Sequence, residues 1–121
     1  MKLRVIPGEF AVCKLVDLSG VRTTDDFWFL AQTDEELSLV CRSESVPENH
    51  THLEDGWRMF RIEGVLDFSL TGILAGISHV LAEATVGIFA VSTYNTDYVL
   101  VKKENLDRAV EALRGAGYEI S

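Results

Sequence analysis

In the second half of the chain the spacing of apolar positions switches between strand-like and helix-like periods, and that alternation predicts its fold. Met59-Phe60-Arg61-Ile62-Glu63-Gly64 reads as a strand ended by glycine. Leu70, Ile73, Leu74, Ile77, Leu81 and Ala84 then recur at helical spacing, so Ser69 to Ala84 is predicted as a helix with one buried stripe. Asp67 or Ser69 supplies its N-cap, because a short side-chain oxygen can accept one of the unpaired first-turn N–H groups. Val86 to Val91 and Tyr98 to Val101 read as adjacent strands with Tyr94-Asn95 in a tight connection. Leu106, Ala109, Val110 and Leu113 make a second helical stripe. Glu104 and Asp107 lie near its positive end and Arg114 near its negative end, as the helix dipole favours. Gly115 and Gly117 stop that helix, and Tyr118-Glu119-Ile120 is a last short strand. Each stripe needs a sheet face, so the order strand-helix-strand-strand-helix-strand implies two helices on one side of a four-stranded antiparallel sheet.

The first half is β-rich. Leu3-Arg4-Val5-Ile6 is predicted as a short strand stopped by the turn pair Pro7-Gly8. Phe10 to Val16 is apolar on both alternating sides, as in a strand covered on two faces. A polar loop runs from Ser19-Gly20 through Asp26, followed by the aromatic strand Phe27-Trp28-Phe29-Leu30-Ala31. Thr33-Asp34-Glu35-Glu36 has the spacing of a capping box and predicts one helical turn, and Leu37 to Cys41 is a further strand. Residues 43–56 are polar, contain Pro47, and mark a boundary: 1–56 as one β-rich unit, 57–121 as the other.

Composition narrows the function classes. A chain of 121 residues, 47% hydrophobic and 25% charged, builds one compact core or two small ones. No apolar run approaches the ~20 residues that span a bilayer. The N-terminal segment Met1 to Gly8 breaks too early for a signal peptide, so a cytoplasmic protein is expected. Cys13 and Cys41 fall in apolar, strand-like runs without a Cys-x-x-Cys spacing and are expected as reduced core thiols. The net charge is −8: five Lys/Arg face eleven Asp/Glu in residues 1–57, and six face eight in 58–121. An acidic chain without a basic stripe is a poor binder of phosphate backbones. Val86 to Val91 has no basic residue, and Lys102 and Lys103 alone close the next strand, so an RNA-binding sheet is not expected.

The polar hexapeptide Ser92-Thr93-Tyr94-Asn95-Thr96-Asp97 stands at the tip of the central hairpin. Ser, Thr, Asn and Asp at one edge of an otherwise apolar architecture suit a small polar ligand. The N–H groups at the nearby helix start favour an anion such as an α-carboxylate. Asp67 or Asp97 and strand carbonyls offer acceptors for an ammonium, and Gly72 and Gly76 permit close approach of a ligand or partner chain. Each piece also has a plainer reading: Asp67 and Ser69 as caps, Asp97 as a strand-end carboxylate, Gly72 and Gly76 as tight packing. His50, His52, Glu54 and Asp55 offer donor atoms, but nothing completes a recognisable metal spacing, so no metal and no cofactor is expected. Asn49-His50-Thr51 is a glycosylation sequon by pattern alone. His79 reads as a packed or surface histidine. No Gly-rich phosphate loop, nucleophile elbow or Cys-His pairing appears, so no catalytic residue is assigned.

Two stretches carry a family resemblance: Asp67-Phe68-Ser69-Leu70-Thr71-Gly72-Ile73-Leu74-Ala75, and Val86-Gly87-Ile88-Phe89-Ala90-Val91 followed by Ser92 through Val101. They resemble the ACT domain, a small-molecule-binding regulatory module, and within it the aspartate-kinase-type domains, small stand-alone bacterial ACT proteins and tandem-ACT cytosolic arginine sensors. Phe10 to Leu15 and Thr33 to Val40 are similar to the N-terminal part of that group. The resemblance implies an α+β, ferredoxin-like βαββαβ ACT domain over 57–121, preceded by an abbreviated ACT-like unit over 1–56. It implies a ligand held between Leu66, Asp67, Phe68, Ser69, Thr71 and Gly72 on one side and Ser92, Thr93, Tyr94 and Asp97 on the other. In the arginine sensors the equivalents of Thr93, Tyr94 and Asp97 contact the ligand; where those sensors have Phe-Asp, this chain has Tyr94-Asn95. The expected protein is a non-catalytic amino-acid-binding regulator that acts as a homodimer or through a regulated partner protein, with no nucleic acid and no membrane involved. The alternative is a structural or interaction module that keeps the fold without the ligand. A similar strand order in acylphosphatase-like enzymes would need a phosphate-cradling Arg after the first strand; here Gly64 to Phe68 has none.

Overall fold

This computed structural model describes residues 1–67 and 69–121, which contain seven strands and two α-helices, four of the strands preceding the first helix. They are β1 (Lys2–Leu15), β2 (Phe29–Gln32), β3 (Leu37–Arg42), β4 (His50–Ile62), α1 (Ile73–Glu83), β5 (Phe89–Ser92), β6 (Asp97–Lys102), α2 (Leu106–Gly115) and β7 (Glu119–Ile120). Two compact units share them: one comprises Met1–Pro7 and Arg58–Ser121, the other Gly8–Trp57. The α+β, ferredoxin-like architecture expected from the sequence is present.

In the first unit β5 pairs antiparallel with β6, Phe89 opposite Leu100 and Ser92 opposite Asp97, and β6 neighbours β4. The core is the one that the two helical stripes require. Ile77 and Leu81 from α1 and Ala109 and Leu113 from α2 pack with Leu3, Phe60, Ile62, Val86, Val99 and Val101. The sheet departs from the four expected strands because the N-terminal segment enters it. The Glu63 N–H donates to the Lys2 carbonyl at 2.9 Å, and the Ser121 N–H donates to the Leu3 carbonyl at 3.0 Å. The last strand, β7, therefore lies parallel to the start of β1, Lys2 opposite Glu119 and Leu3 opposite Ile120.

The expected stop at Pro7-Gly8 is also corrected: β1 continues to Leu15. Gly8 takes a left-handed φ of +99° within it, a conformation open to glycine, and a Cβ there would lie 2.6 Å from the Arg42 Nη1. The expected helix from Ser69 begins only at Ile73, and Leu70 lies outside it and is exposed. Gly72 is the N-cap residue at φ +77°, with no side-chain cap. Asp67 is no helix cap; its carboxylate accepts the Ser69 N–H at 2.8 Å and closes a turn before the helix.

In the second unit β3 lies between β2 and β1. Phe29 is opposite Val40 in one ladder and Phe10 opposite Arg42 in the other. Its core gathers Cys13, Leu15, Leu37, Leu39 and Cys41. Cys13 and Cys41 are free thiols, and burial pushes the Cys41 thiol up to about 12. Among the described residues this unit has no α-helix, only a 3-10 turn at Ser43–Ser45. The 16–28 loop is stitched down: Arg42 Nε donates to Asp26 at 2.8 Å, its guanidinium stands 5.2 Å from the Phe10 ring and 5.6 Å from the Phe27 ring, and the Ser45 hydroxyl donates to Asp25. The helical turn predicted at Thr33–Glu36 is a β-turn. Thr33 Oγ1 accepts the N–H groups of Glu35 and Glu36, both at 3.1 Å, and the Thr33 N–H donates to the Glu36 carbonyl at 2.9 Å.

Candidate functional site

A cleft of about 320 Å³ opens at one end of the first unit, between the 63–72 loop with the start of α1 and the β5–β6 turn. A volume of this size suits a ligand no larger than an amino acid or small metabolite. Of the residues singled out from sequence, Leu66, Asp67 and Gly72 line one wall and Ser92, Thr93, Tyr94 and Asp97 the other. Ser69 and Thr71 belong to the same loop but are not among the described lining residues. Phe68 lies outside the described residues.

Six lining residues had not been singled out as site residues: Leu70, Ile73, Leu74, Ala75, Asn95 and Thr96. The helical stripe had assigned Leu70, Ile73 and Leu74 to the core. α1 starts four residues later than that pattern predicts, which leaves Leu70 exposed beside the cleft, while Ile73 and Leu74 pack against the core as expected and border the cleft as well. Asn95 and Thr96 were visible as part of the hairpin tip, but no pattern distinguished their roles.

The turn wall is locked internally. The Thr93 N–H donates to the Thr96 carbonyl at 2.9 Å, and the Thr93 hydroxyl donates to the same carbonyl at 3.0 Å. It is also tied to the opposite wall. The Leu66 N–H donates to the Asn95 carbonyl at 2.7 Å, and the Thr96 hydroxyl donates to the Ile62 carbonyl at 2.6 Å.

The cleft is polarised in two senses. Ile73, Leu74 and Ala75 open α1, and the first intrahelical bond runs from the Gly76 N–H to the Gly72 carbonyl at 2.9 Å. The three preceding N–H groups have no acceptor four residues back, so this end of the cleft favours negative charge. Two carboxylates, Asp67 and Asp97, supply the opposite sign, and none of the described lining residues is Lys or Arg. The Ser69 backbone N–H, then its side chain, hold the Asp67 carboxyl below the usual carboxylate range, so it is charged at neutral pH. Leu66, Leu70, Ile73 and Leu74 add aliphatic surface to the lining.

The remaining chemistry-bearing residues lie elsewhere. His50 Nδ1 is 2.8 Å from the Pro47 carbonyl, and His52 Nδ1 is 3.0 Å from the Thr51 hydroxyl. His79 is exposed, with its Nε2 3.9 Å from the Glu83 carboxylate. Among the described residues no group of three or more His, Cys, Asp or Glu side chains is placed to hold a metal ion. No described helix is long and apolar enough to cross a membrane.

Comparison with known proteins places this geometry in context. A family model described as an ACT domain matches residues 52–115, and a second, described as an N-terminal domain, matches residues 8–49. The cytosolic arginine sensor for mTORC1 subunit 1 of Homo sapiens is 39% identical over 59 residues, and so is that of Bos taurus. The match takes in 48% of this chain and spans less than a fifth, 18%, of those relatives. A crystal structure of a protein from Agrobacterium tumefaciens superposes with a TM-score of 0.85 at 29% identity, covering 99% of this chain and 91% of that one. The regulatory subunit of aspartate kinase from Thermus thermophilus shares the fold, with a TM-score of 0.62 at 11% identity, covering 95% and 97%.

Proposed function

Because the chain belongs to the ACT domain family, we propose that its cleft binds a free amino acid and that the protein is a non-catalytic sensor. One observation carries this reading: within one small cleft the N-terminus of α1 faces the same space as two carboxylates. An α-carboxylate suits the unpaired helix N–H groups, and an ammonium suits Asp67 or Asp97. A zwitterion meets both demands together. With two acidic residues and no basic one among the described lining residues, the preferred side chain is cationic, carried on an aliphatic stem that lies against Leu66, Leu70 and Ile73. The relatives named as arginine sensors support that choice, and L-arginine is the first candidate. Asp67 and Asp97 recognise cationic groups, Ser92, Thr93 and Tyr94 supply further polar contacts, and Gly72 allows the ligand close to the helix start. Ser69 and Thr71 keep their places on the ligand-side loop in this proposal.

The output passes through a second chain. Val65, Leu70 and Tyr94 are 74%, 54% and 78% exposed, and large apolar side chains exposed near one cleft suit a covering partner surface. We assign that surface to a homodimer, or to a regulated partner protein, in the cytoplasm, a compartment suggested by the relatives named as cytosolic arginine sensors. In this proposal the unit of Met1–Pro7 and Arg58–Ser121 is the sensing ACT domain, and Gly8–Trp57 is an abbreviated, β-rich ACT-like unit; Met1–Pro7 thus joins the second half rather than the 1–56 unit expected from the sequence.

A thermal-shift screen against the twenty amino acids tests the reading. A ligand at a hundredfold excess over its Kd stabilises the folded state by ~2.7 kcal/mol. Arginine or another cationic amino acid should give the largest shift, and Asp97→Ala should remove it while the fold persists. A flat screen would favour the interaction-module alternative.

A further inference from the structure

We propose that Thr96 is the positioning residue of the cleft: its buried hydroxyl holds the β5–β6 turn against the end of β4, so the two walls are set before a ligand arrives. The inference rests on the reading of the cleft as a ligand site, but its structural part stands without any ligand. Thr96 is a polar residue only 5% exposed, at the tip of a hairpin whose neighbours Ser92 to Asn95 are all exposed. Its hydroxyl reaches the carbonyl of Ile62, the last residue of β4 and 34 positions earlier, at 2.6 Å. β6 begins one residue later, at Asp97, so the side chain supplies a partner for that buried carbonyl just outside the strand. The adjacent Asn95 carbonyl accepts the Leu66 N–H. Consecutive residues of the turn thus fasten it to Leu66 in the facing wall and to the end of β4, from which that loop departs.

The other hairpin of the chain is a control built into the molecule. Sixty positions earlier, β2 and β3 repeat the same ladder: Phe29 pairs with Val40 as Phe89 pairs with Leu100, and Gln32 with Leu37 as Ser92 with Asp97. The turn bond is the same as well, from the Thr33 N–H to the Glu36 carbonyl at 2.9 Å and from the Thr93 N–H to the Thr96 carbonyl at 2.9 Å. The position of Thr96 is occupied there by Glu36, which is exposed. The turn therefore forms without a buried hydroxyl at this position. The hydroxyl bond is an addition to the hairpin, and it occurs in the hairpin that borders the cleft.

Thr96→Val keeps the branched shape and removes the donor, leaving a buried carbonyl without it. Thr96→Ser keeps the donor, and Thr96→Ala is a second hydroxyl-free variant should valine perturb folding. Amide hydrogen exchange in ligand-free protein reads the effect, with Leu66 as reporter and Val86, which donates to the Leu81 carbonyl, as a distant reference. Exchange at Leu66 should rise about tenfold relative to Val86 in the hydroxyl-free variants and stay near wild type in Thr96→Ser. Equal rises at Leu66 and Val86, or no rise at Leu66, would overturn the assignment. Titration with L-arginine adds the functional arm: its Kd should rise about tenfold in Thr96→Val and recover in Thr96→Ser. Unchanged affinity with a loosened Leu66 would also overturn it. If arginine fails to bind the wild type, the arginine reading falls while the exchange experiment still decides the role of Thr96.

Discussion

Replacing Thr85 with glycine should stabilise this protein, although it deletes a side chain. Thr85 follows the C-terminus of α1 at φ +59°, a left-handed conformation that crowds a β-branched residue. The helix imposes it. The Val86 N–H donates back to the Leu81 carbonyl at 2.8 Å and the Thr85 N–H to the Ala82 carbonyl at 3.0 Å, the paired bonds of a Schellman ending whose turning residue is usually glycine. Thr85 is exposed, so the substitution gives up little burial. Relief of the left-handed strain is worth ~1–2 kcal/mol, and the greater unfolded freedom of glycine takes back ~0.5–1 kcal/mol. The net gain is ~0.5–1 kcal/mol, or a Tm increase of ~2–5 °C for a chain of 121 residues. Urea unfolding should show a higher midpoint with an unchanged slope, and calorimetry a higher Tm. Thr85→Ala keeps a Cβ and should gain less. Equal gains in both variants, or a loss in Thr85→Gly, would refute the argument from backbone strain.

Other perturbations test different parts of the account. Leu81→Ala empties a fully buried position in the α1 core and should cost ~3 kcal/mol in urea unfolding. A Cβ at Gly72 would meet nothing within 4 Å, so Gly72→Ala should cost the left-handed strain of ~1–2 kcal/mol less the ~0.5–1 kcal/mol that alanine gains by its lower unfolded freedom, a net loss of ~0.5–1 kcal/mol read as a lower Tm. The Ser19 hydroxyl and N–H hold the Asp17 carboxyl below its ordinary range, and the Arg42 guanidinium does so for Asp26. A carboxyl depressed in the folded state adds stability that is full above its unfolded pKa, about 4, and is lost as pH falls through its folded value. Asp26→Asn should therefore flatten the loss of urea midpoint between about pH 5 and about pH 2. Cys13 and Cys41 are buried, and a thiol reagent at neutral pH should label both only after denaturation.

The elements whose periodicity arises from packing were legible in the sequence. The stripes through Ile77 and Leu81, and through Ala109 and Leu113, face one core because each helix has only one side to bury. Terminal residues misled where one short pattern serves two geometries. The oxygen of Thr33 accepts N–H groups two and three residues on, as an N-cap would, yet it closes a β-turn between β2 and β3. Leu70 kept helical phase with Ile73 and Leu74, but left-handed Gly72 starts the helix after it. Pro7-Gly8 carried the composition of a turn, while the bonds that draw Lys2 and Leu3 between β4 and the C-terminal residues came from positions some sixty and a hundred and twenty residues away. At the site, the hairpin tip and helix start were identifiable as polar groups beside apolar elements. The role of Thr96 was not, because its partner is a backbone carbonyl 34 residues distant.

Backbone amide NMR during titration with L-arginine reports both whether a cationic amino acid binds and where it sits. Binding in the cleft should give saturable shifts concentrated at Leu66, Gly72 to Ala75 and Ser92 to Asp97, with Thr33 to Glu36 unmoved and the response lost in Asp97→Ala. Shifts centred on the Gly8–Trp57 unit, an unaltered response in Asp97→Ala, or no response to arginine or any of the other nineteen amino acids would contradict it.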